Sequence, residues 1–392
     1  MPSVLYLIAL ASFAANLSVR AIDPVIPHIA DDLSISIAQA AGLSSALAFT
    51  FAIVQPIIGA FADLIGKARV MVACLALLGI GSIMGAFATT FPVLLVTRIL
   101  CGIGAGGVFP VTLSLTSDLI PVGERQIAIS RVLAGAMIGN ILGSAVGGVV
   151  GDLLGWRGVL ELLGISTLLA SVAVGVGLSR ASTVIVSGAS SLAALWHGYK
   201  VLFHNPRTRV CYSIVFFEGC CILGVFPFVA AFLFDLGETR LSIAGIVIAG
   251  FALGGLVYTA SVTRLLPWLG VRGLMIGGGI LMALQLVVLG LGLPWPAQMA
   301  SFVVMGLGFY MLHGCMQVFA SELAVEARAT SMSLHSCFFF LGQTAGPIAY
   351  GFGISHIGKM PMLILCGIMV TLVGIIGAKL LVAPGADQRS MA

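Results

Sequence analysis

Residues 59–69 read Gly59-Ala60-Phe61-Ala62-Asp63-Leu64-Ile65-Gly66-Lys67-Ala68-Arg69. This polar break parts two apolar runs, near 42–62 and 69–88. A helix needs about 20 apolar residues to cross the hydrocarbon core of a bilayer, and each run has that length. Outward from this point the alternation of apolar run and polar turn continues in both directions. It predicts twelve spans. The first six lie near 3–28, 42–62, 69–88, 92–115, 127–150 and 158–178, the second six near 210–233, 242–262, 271–292, 297–320, 330–352 and 361–382.

Composition agrees. Of 392 residues, 60% are hydrophobic and only 8% charged, against about 25% charged in a soluble domain. So few charges cannot cover a water-facing surface. A soluble globular protein, a disordered chain and a nucleic-acid binder are excluded, and an all-α membrane protein embedded in the lipid bilayer is expected. The fifty glycines show no G-x-y period; in lipid, small residues let helices approach closely. The eight cysteines all fall in apolar runs without metal-ligand spacing and read as small apolar fillers, so no metal or cofactor is expected. No Lys or Arg precedes Val4–Val19, which reads as the first span rather than a cleaved signal.

With a cytoplasmic N-terminus, thirteen of the 18 Lys and Arg fall in inner loops or the tail, three in outer loops and two within spans. This asymmetry predicts both termini inside and an even number of spans, and the compact length and short loops point to a bacterial plasma (inner) membrane. The longest polar stretch divides the chain into an N-terminal bundle (1–179), a cytoplasmic linker (180–208) and a C-terminal bundle (209–392). The two parts echo each other. Gly102, Gly104 and Asp118 recur 204 residues later as Gly306, Gly308 and Glu322, and Ile26-Pro27-His28-Ile29 recurs 200 residues later as Phe226-Pro227-Phe228-Val229. A duplicated six-helix unit predicts pseudo-twofold symmetry with a cavity between the halves.

The opening stretch resembles the loop signature of the major facilitator superfamily, G-x-x-x-D-x-x-G-[RK]-x-[RK], carried here by Gly59, Asp63, Gly66, Lys67 and Arg69. Arg98, Gly102 and Gly104 are similar to the family's R-x-x-x-G-x-G pattern. Asp118, Pro121, Glu124 and Arg125 resemble a D-x-x-P-x-x-[ER]-R loop of its drug/proton antiporter branch. The resemblance implies the twelve-helix major facilitator fold and a cytoplasmic latch in which Asp118 pairs with Lys67 or Arg69, with Glu322 pairing similarly with Arg272. Solvated helix-end charges are the alternative. Gly135, Gly139, Gly143 and Gly147 form one small-residue face, similar to the branch's antiporter motif but with Gly143-Ser144 where that motif has Gly-Pro; helix packing alone also accounts for them.

A charge inside a bilayer costs at least about 2.5–3.5 kcal/mol on insertion scales, so intramembrane polar residues are the site candidates. Glu218 lies nine residues before Pro227, the spacing at which antiporters of this branch carry an acid before their own proline. Desolvation disfavours the charge on an isolated carboxyl, which suits Glu218 to exchange protons near neutral pH. A permanently protonated or paired glutamate is the alternative. Arg20 and Asp23 share a helix face and can pair. Asp23 and Arg98 join Glu218 as proton-coupling candidates. Arg20, Asn16, Asn140, His313, Gln317 and Gln343 are substrate-contact candidates; His313 and Gln317 share a face, and a packing role is equally open. Gln55, Gln285 and His335 are further intramembrane polar residues.

The reading is a monomeric secondary transporter, not an enzyme. It moves a small organic solute by alternating access, as proton-coupled efflux, with proton-coupled uptake or facilitated diffusion of an organic anion or sugar as the alternative. No Walker A pattern is present for ATP.

Overall fold

The computed structural model describes residues 3–120, 122–180, 200–202, 204–324 and 328–382. Among them every regular element is helical. Lipid offers no partner to backbone N–H and C=O groups, so a spanning segment satisfies them within its own helix. The first half holds α1 (Ser3–Arg20), α2 (Ile26–Asp32), α3 (Ile37–Ile65), α4 (Lys67–Ala86), α5 (Phe91–Leu119) and α6 (Val122–Arg180). The second holds α7 (Pro206–Glu218), α8 (Val229–Phe234), α9 (Leu241–Gly290), α10 (Trp295–Glu322), α11 (Arg328–Ile357) and α12 (Lys359–Leu380).

Two helices are too long to be single spans. α9 has 50 residues and would reach about 75 Å if straight, against a core of about 30 Å. α6 and α9 each break at one glycine, Gly155 (φ 70°) and Gly270 (φ 64°), in the backbone region that glycine enters freely. In α6 the chain reverses there: a Cβ built on Gly135 would meet Ala9, and one on Gly177 would meet Leu7, so both ends return to the same level of α1. The loops expected near 151–157 and 263–270 are thus single-residue breaks. Nine described segments are long and apolar enough to cross a membrane. The two broken ones each hold two crossings, which makes eleven, and the more polar α11 adds the twelfth.

The first and seventh spans are not the continuous helices expected. α1 gives way to a 3-10 turn at Asp23–Val25 before α2. α7 gives way to a five-residue π turn, Gly219–Leu223, and a 3-10 turn, Phe226–Phe228. Pro24, Pro27 and Pro227 lie at these breaks, and proline removes a backbone donor and clashes with the preceding turn.

The chain groups into two compact units: Met1–Ala194 with Arg240–Gly245, and Leu195–Thr239 with Ile246–Ala392. The linker expected at 180–208 lies largely outside the described residues. In unit one, a Cβ on Gly135, Gly139, Gly143 or Gly147 would come within 3.0 Å of the carbonyl oxygen of Ala9, Phe13, Leu17 or Ala21 respectively. Both helices advance by four residues together, so the first part of α6 runs parallel to α1 with backbones nearly touching. In unit two, Gly306 packs on Phe251 and Gly342 on Phe216 in the same way.

Gly66 joins α3 to α4 at φ 107°, and no atom lies within 4 Å of where its Cβ would stand. The backbone, not space, therefore demands glycine. Gly66→Ala is expected to cost about 1–3 kcal/mol, read as a lower melting temperature of the detergent-purified protein. Unchanged melting would show that the turn relaxes.

Candidate functional site

The break after α7 leaves Glu218 at the end of a regular helix, beside the π turn. Such turns recur at functional sites. Next to it, Gly219 lets α11 approach: a Cβ there would strike the Phe339 carbonyl and crowd the Gln343 amide. Glu218 is fully buried, and its Oε2 lies 2.8 Å from Nδ1 of His313 on α10. Phe309 stacks on the His313 ring at 4.8 Å, and Phe339 stands at the same centroid distance. His335 of α11, also buried, has its ring centre 5.2 Å from that of His313.

Among the described residues, three buried atoms in this region have no hydrogen-bond partner: Glu218 Oε1, His335 Nε2 and Gln343 Oε1. Each such atom costs about 1–3 kcal/mol, so the group is expensive as mere packing. Its titratable members, one carboxyl and two imidazoles, are groups that can each gain or lose a proton. Carboxyl with neutral imidazole and carboxylate with imidazolium are both net neutral and hold the same number of protons. Removing one proton leaves an anion in apolar surroundings, which is costly unless another positive charge replaces it.

In unit one, Asp23 is fully buried below the end of α1. Ser44 Oγ donates to its Oδ1 at 2.7 Å, and Arg20 Nη1 stands 3.4 Å from its Oδ2. Arg98 of α5 is 1% exposed with an unpartnered Nε, and its charge acts on Asp23. Asn140 Nδ2 donates to Asn16 Oδ1 at 3.1 Å, while Asn16 Nδ2 donates to the Ser12 carbonyl. Gln317 is exposed on α10 and does not join His313 in the buried group.

At the α3–α4 turn, Lys67 Nζ lies 2.6 Å from Asp118 Oδ2, with the lysine side chain 10% exposed and the aspartate 36%. Arg69 is exposed. The surroundings of Gly59 and the side chains of Asp63, Glu124 and Arg125 lie outside the described part. Arg272 Nη2 donates to the Val382 carbonyl at 3.2 Å, just past the end of α12, where helix carbonyls lack intrahelical partners.

Sequence reading gave His335 only the general roles open to an intramembrane polar residue, an inter-helix hydrogen bond or a substrate contact, and gave none to Ser44 or Phe339. One signal was available: His335, Phe339 and Gln343 are spaced by four and share one face of α11. Nothing in the sequence aligns that face with Glu218.

The sequence model of the Major Facilitator Superfamily matches residues 8–347. A chloramphenicol resistance protein of Streptomyces lividans is 24% identical over 263 residues, 65% of this chain and 65% of that protein. An MFS efflux transporter of Aspergillus oryzae is 30% identical over 140 residues, 33% and 24% of the two chains. The chain thus spans less than two thirds of the length of these curated relatives. Among solved structures, a D-xylose-proton symporter superposes with a TM-score of 0.77 at 16% identity, covering 98% of both chains. A nucleoside transporter does so at 0.76 and 15%, covering 96% of this chain and 98% of that one. Likeness at these identities shows the fold alone.

Proposed function

Because the chain belongs to the Major Facilitator Superfamily, a family of multi-pass membrane transporters rather than enzymes, we propose that it expels a small organic solute in exchange for protons by alternating access. The observation that carries this reading is the fully buried Glu218 hydrogen-bonded to His313 at 2.8 Å. In this reading Glu218 is the proton carrier, Asp23 and Arg98 assist coupling, and Asn16, Asn140, His313 and Gln343 contact solute. The Lys67–Asp118 pair acts as part of a latch that closes one side, the two halves rock as bodies, and the protein works as a monomer in the inner membrane with both termini cytoplasmic. The names of two relatives, a chloramphenicol resistance protein and an efflux transporter, support the outward direction.

A thermal-shift screen on the purified protein, beginning with chloramphenicol, selects the solute. Everted membrane vesicles with an acidified interior are then expected to accumulate it, and a protonophore to abolish the accumulation. Equilibration without accumulation, under either sign of gradient, would overturn proton coupling.

A second reading, proton-coupled uptake or facilitated diffusion of an organic anion or sugar, is favoured by the buried Arg98 with its unpartnered Nε. It requires accumulation under the opposite gradient, or simple equilibration.

A further inference from the structure

Three helix ends meet at one end of unit two. Asn205 Nδ2, at the start of α7, donates to the Leu323 carbonyl past the end of α10, and Ser331 Oγ, near the start of α11, donates to the Ala320 carbonyl. Counted from these ends at 1.5 Å per residue, Glu218 lies about 18 Å deep, His313 about 14 Å and His335 about 10 Å. The three groups therefore descend in order. Their spacing is short: 2.8 Å between Glu218 and His313, and 5.2 Å between the two imidazole centres. One turn nearer the end on α11 is Ser331, whose Oγ is 3.0 Å from the Tyr212 hydroxyl.

Other polar and titratable groups near Glu218 do not continue such a line. Cys211 on α7 and Cys315 on α10 interact electrostatically with it, but Cys211 donates its thiol to the Met316 carbonyl, and a neutral thiol is a poor proton acceptor. Gln343 on α11 holds no exchangeable charge. Cys366 of α12 faces Cys221 of the π turn. His335, with a partnerless Nε2 and 2% exposure, is the next group able to take a proton.

We propose that His335 is the second station of a proton relay that runs from Glu218 through His313 toward the end of unit two where α7 and α11 begin. The inference rests on Glu218 being the proton carrier. The Glu218 O–H bond breaks as N–H forms at His313 Nδ1. The imidazolium then loses the proton on Nε2, and His335 takes it on its free ring nitrogen. The two rings are tilted by 59° at a centroid separation of 5.2 Å, so this transfer requires ring rotation to bring the two nitrogens into line. His335 then gives the proton up from that nitrogen to a water molecule at the end of unit two, where the Ser331 and Tyr212 hydroxyls lie 3.0 Å apart, and the reverse sequence reloads Glu218. No redox partner is needed.

The test is a pH jump on the full-length purified protein, followed by time-resolved infrared absorption of the protonated carboxyl C=O stretch. The band that disappears in Glu218→Gln is the Glu218 signal. In His335→Gln and His335→Asn, which keep a neutral polar side chain, the band is expected to reach the wild-type end-point about tenfold more slowly, the cost of one added decade in barrier. The exposed His356→Gln control is expected to keep the wild-type rate. A wild-type rate in both His335 variants, with the end-point retained, would overturn the relay while leaving Glu218 as carrier. A Glu218 band that does not respond to pH in the wild type would overturn the carrier role and the relay with it. If one His335 variant fails to fold, the other carries the measurement, and Ser331→Ala is expected to slow the same step by a smaller factor.

Discussion

Glu218→Gln is expected to abolish gradient-driven accumulation of the solute while solute-for-solute exchange persists. Glutamine matches the shape of glutamic acid, and its amide can still hydrogen-bond to His313 Nδ1, now 2.8 Å from Glu218 Oε2. It cannot release a proton, so the energetic link to the gradient is cut while the moving parts stay intact. Folding stability is expected to stay within about 1 kcal/mol, the net worth of a typical hydrogen bond. Glu218→Ala differs. It strips His313 of its partner and opens a cavity, so about 2–5 kcal/mol of stability is expected to go, as for other large-to-small changes in packed interiors. The comparison separates chemistry from packing. Accumulation that survives in Glu218→Gln would remove Glu218 from the proton path.

Gly143→Leu is expected to leave almost no folded protein. An added Cβ at Gly143 would press on the Leu17 carbonyl within 3.0 Å, a backbone atom that cannot swing aside. Alanine there is expected to cost about 1–3 kcal/mol as overpacking; leucine adds three further carbons along the same line. Marginal stabilities of about 5–15 kcal/mol cannot absorb much of this, and the stripe repeats at Gly135, Gly139 and Gly147. Gly42 is the matched control on α3, with nothing within 4 Å of its Cβ position. Gly42→Ala is expected to be neutral or to gain about 0.5–1 kcal/mol from helix entropy. The measurement is the folded fraction by size-exclusion chromatography, with melting temperature for the alanine variants. Equal yields of Gly143→Leu and wild type would show that α1 and α6 are not locked at this face.

The legibility of the site differs from place to place. The stripe at 135, 139, 143 and 147 is visible in sequence because helix periodicity alone puts every fourth residue on one face. Arg20 and Asp23 are three apart, so local geometry places them together, and they stand 3.4 Å apart. Lys67 and Asp118 are far apart in sequence, and only the family resemblance suggested that they meet. Glu218 stands out as an acid in an apolar run. Its meeting with His313, 95 residues away, has no sequence signal, because an almost wholly apolar helix gives little indication of which face turns inward. The breaks at Arg20 and Glu218 were hidden for a related reason: hydropathy registers length and composition, while a π turn is a matter of backbone hydrogen bonding.

Sequence by itself determined that this chain lives in lipid, that it crosses many times and that it belongs with the major facilitators. Those properties follow from transfer free energies and local motifs, which add up residue by residue. Only the tertiary structure decided which polar groups pack against one another, that Gly155 and Gly270 break their helices within one residue, and that His335 stands beside His313. These depend on how rotated and tilted helices pack, a property of all the side chains together and of no single stretch.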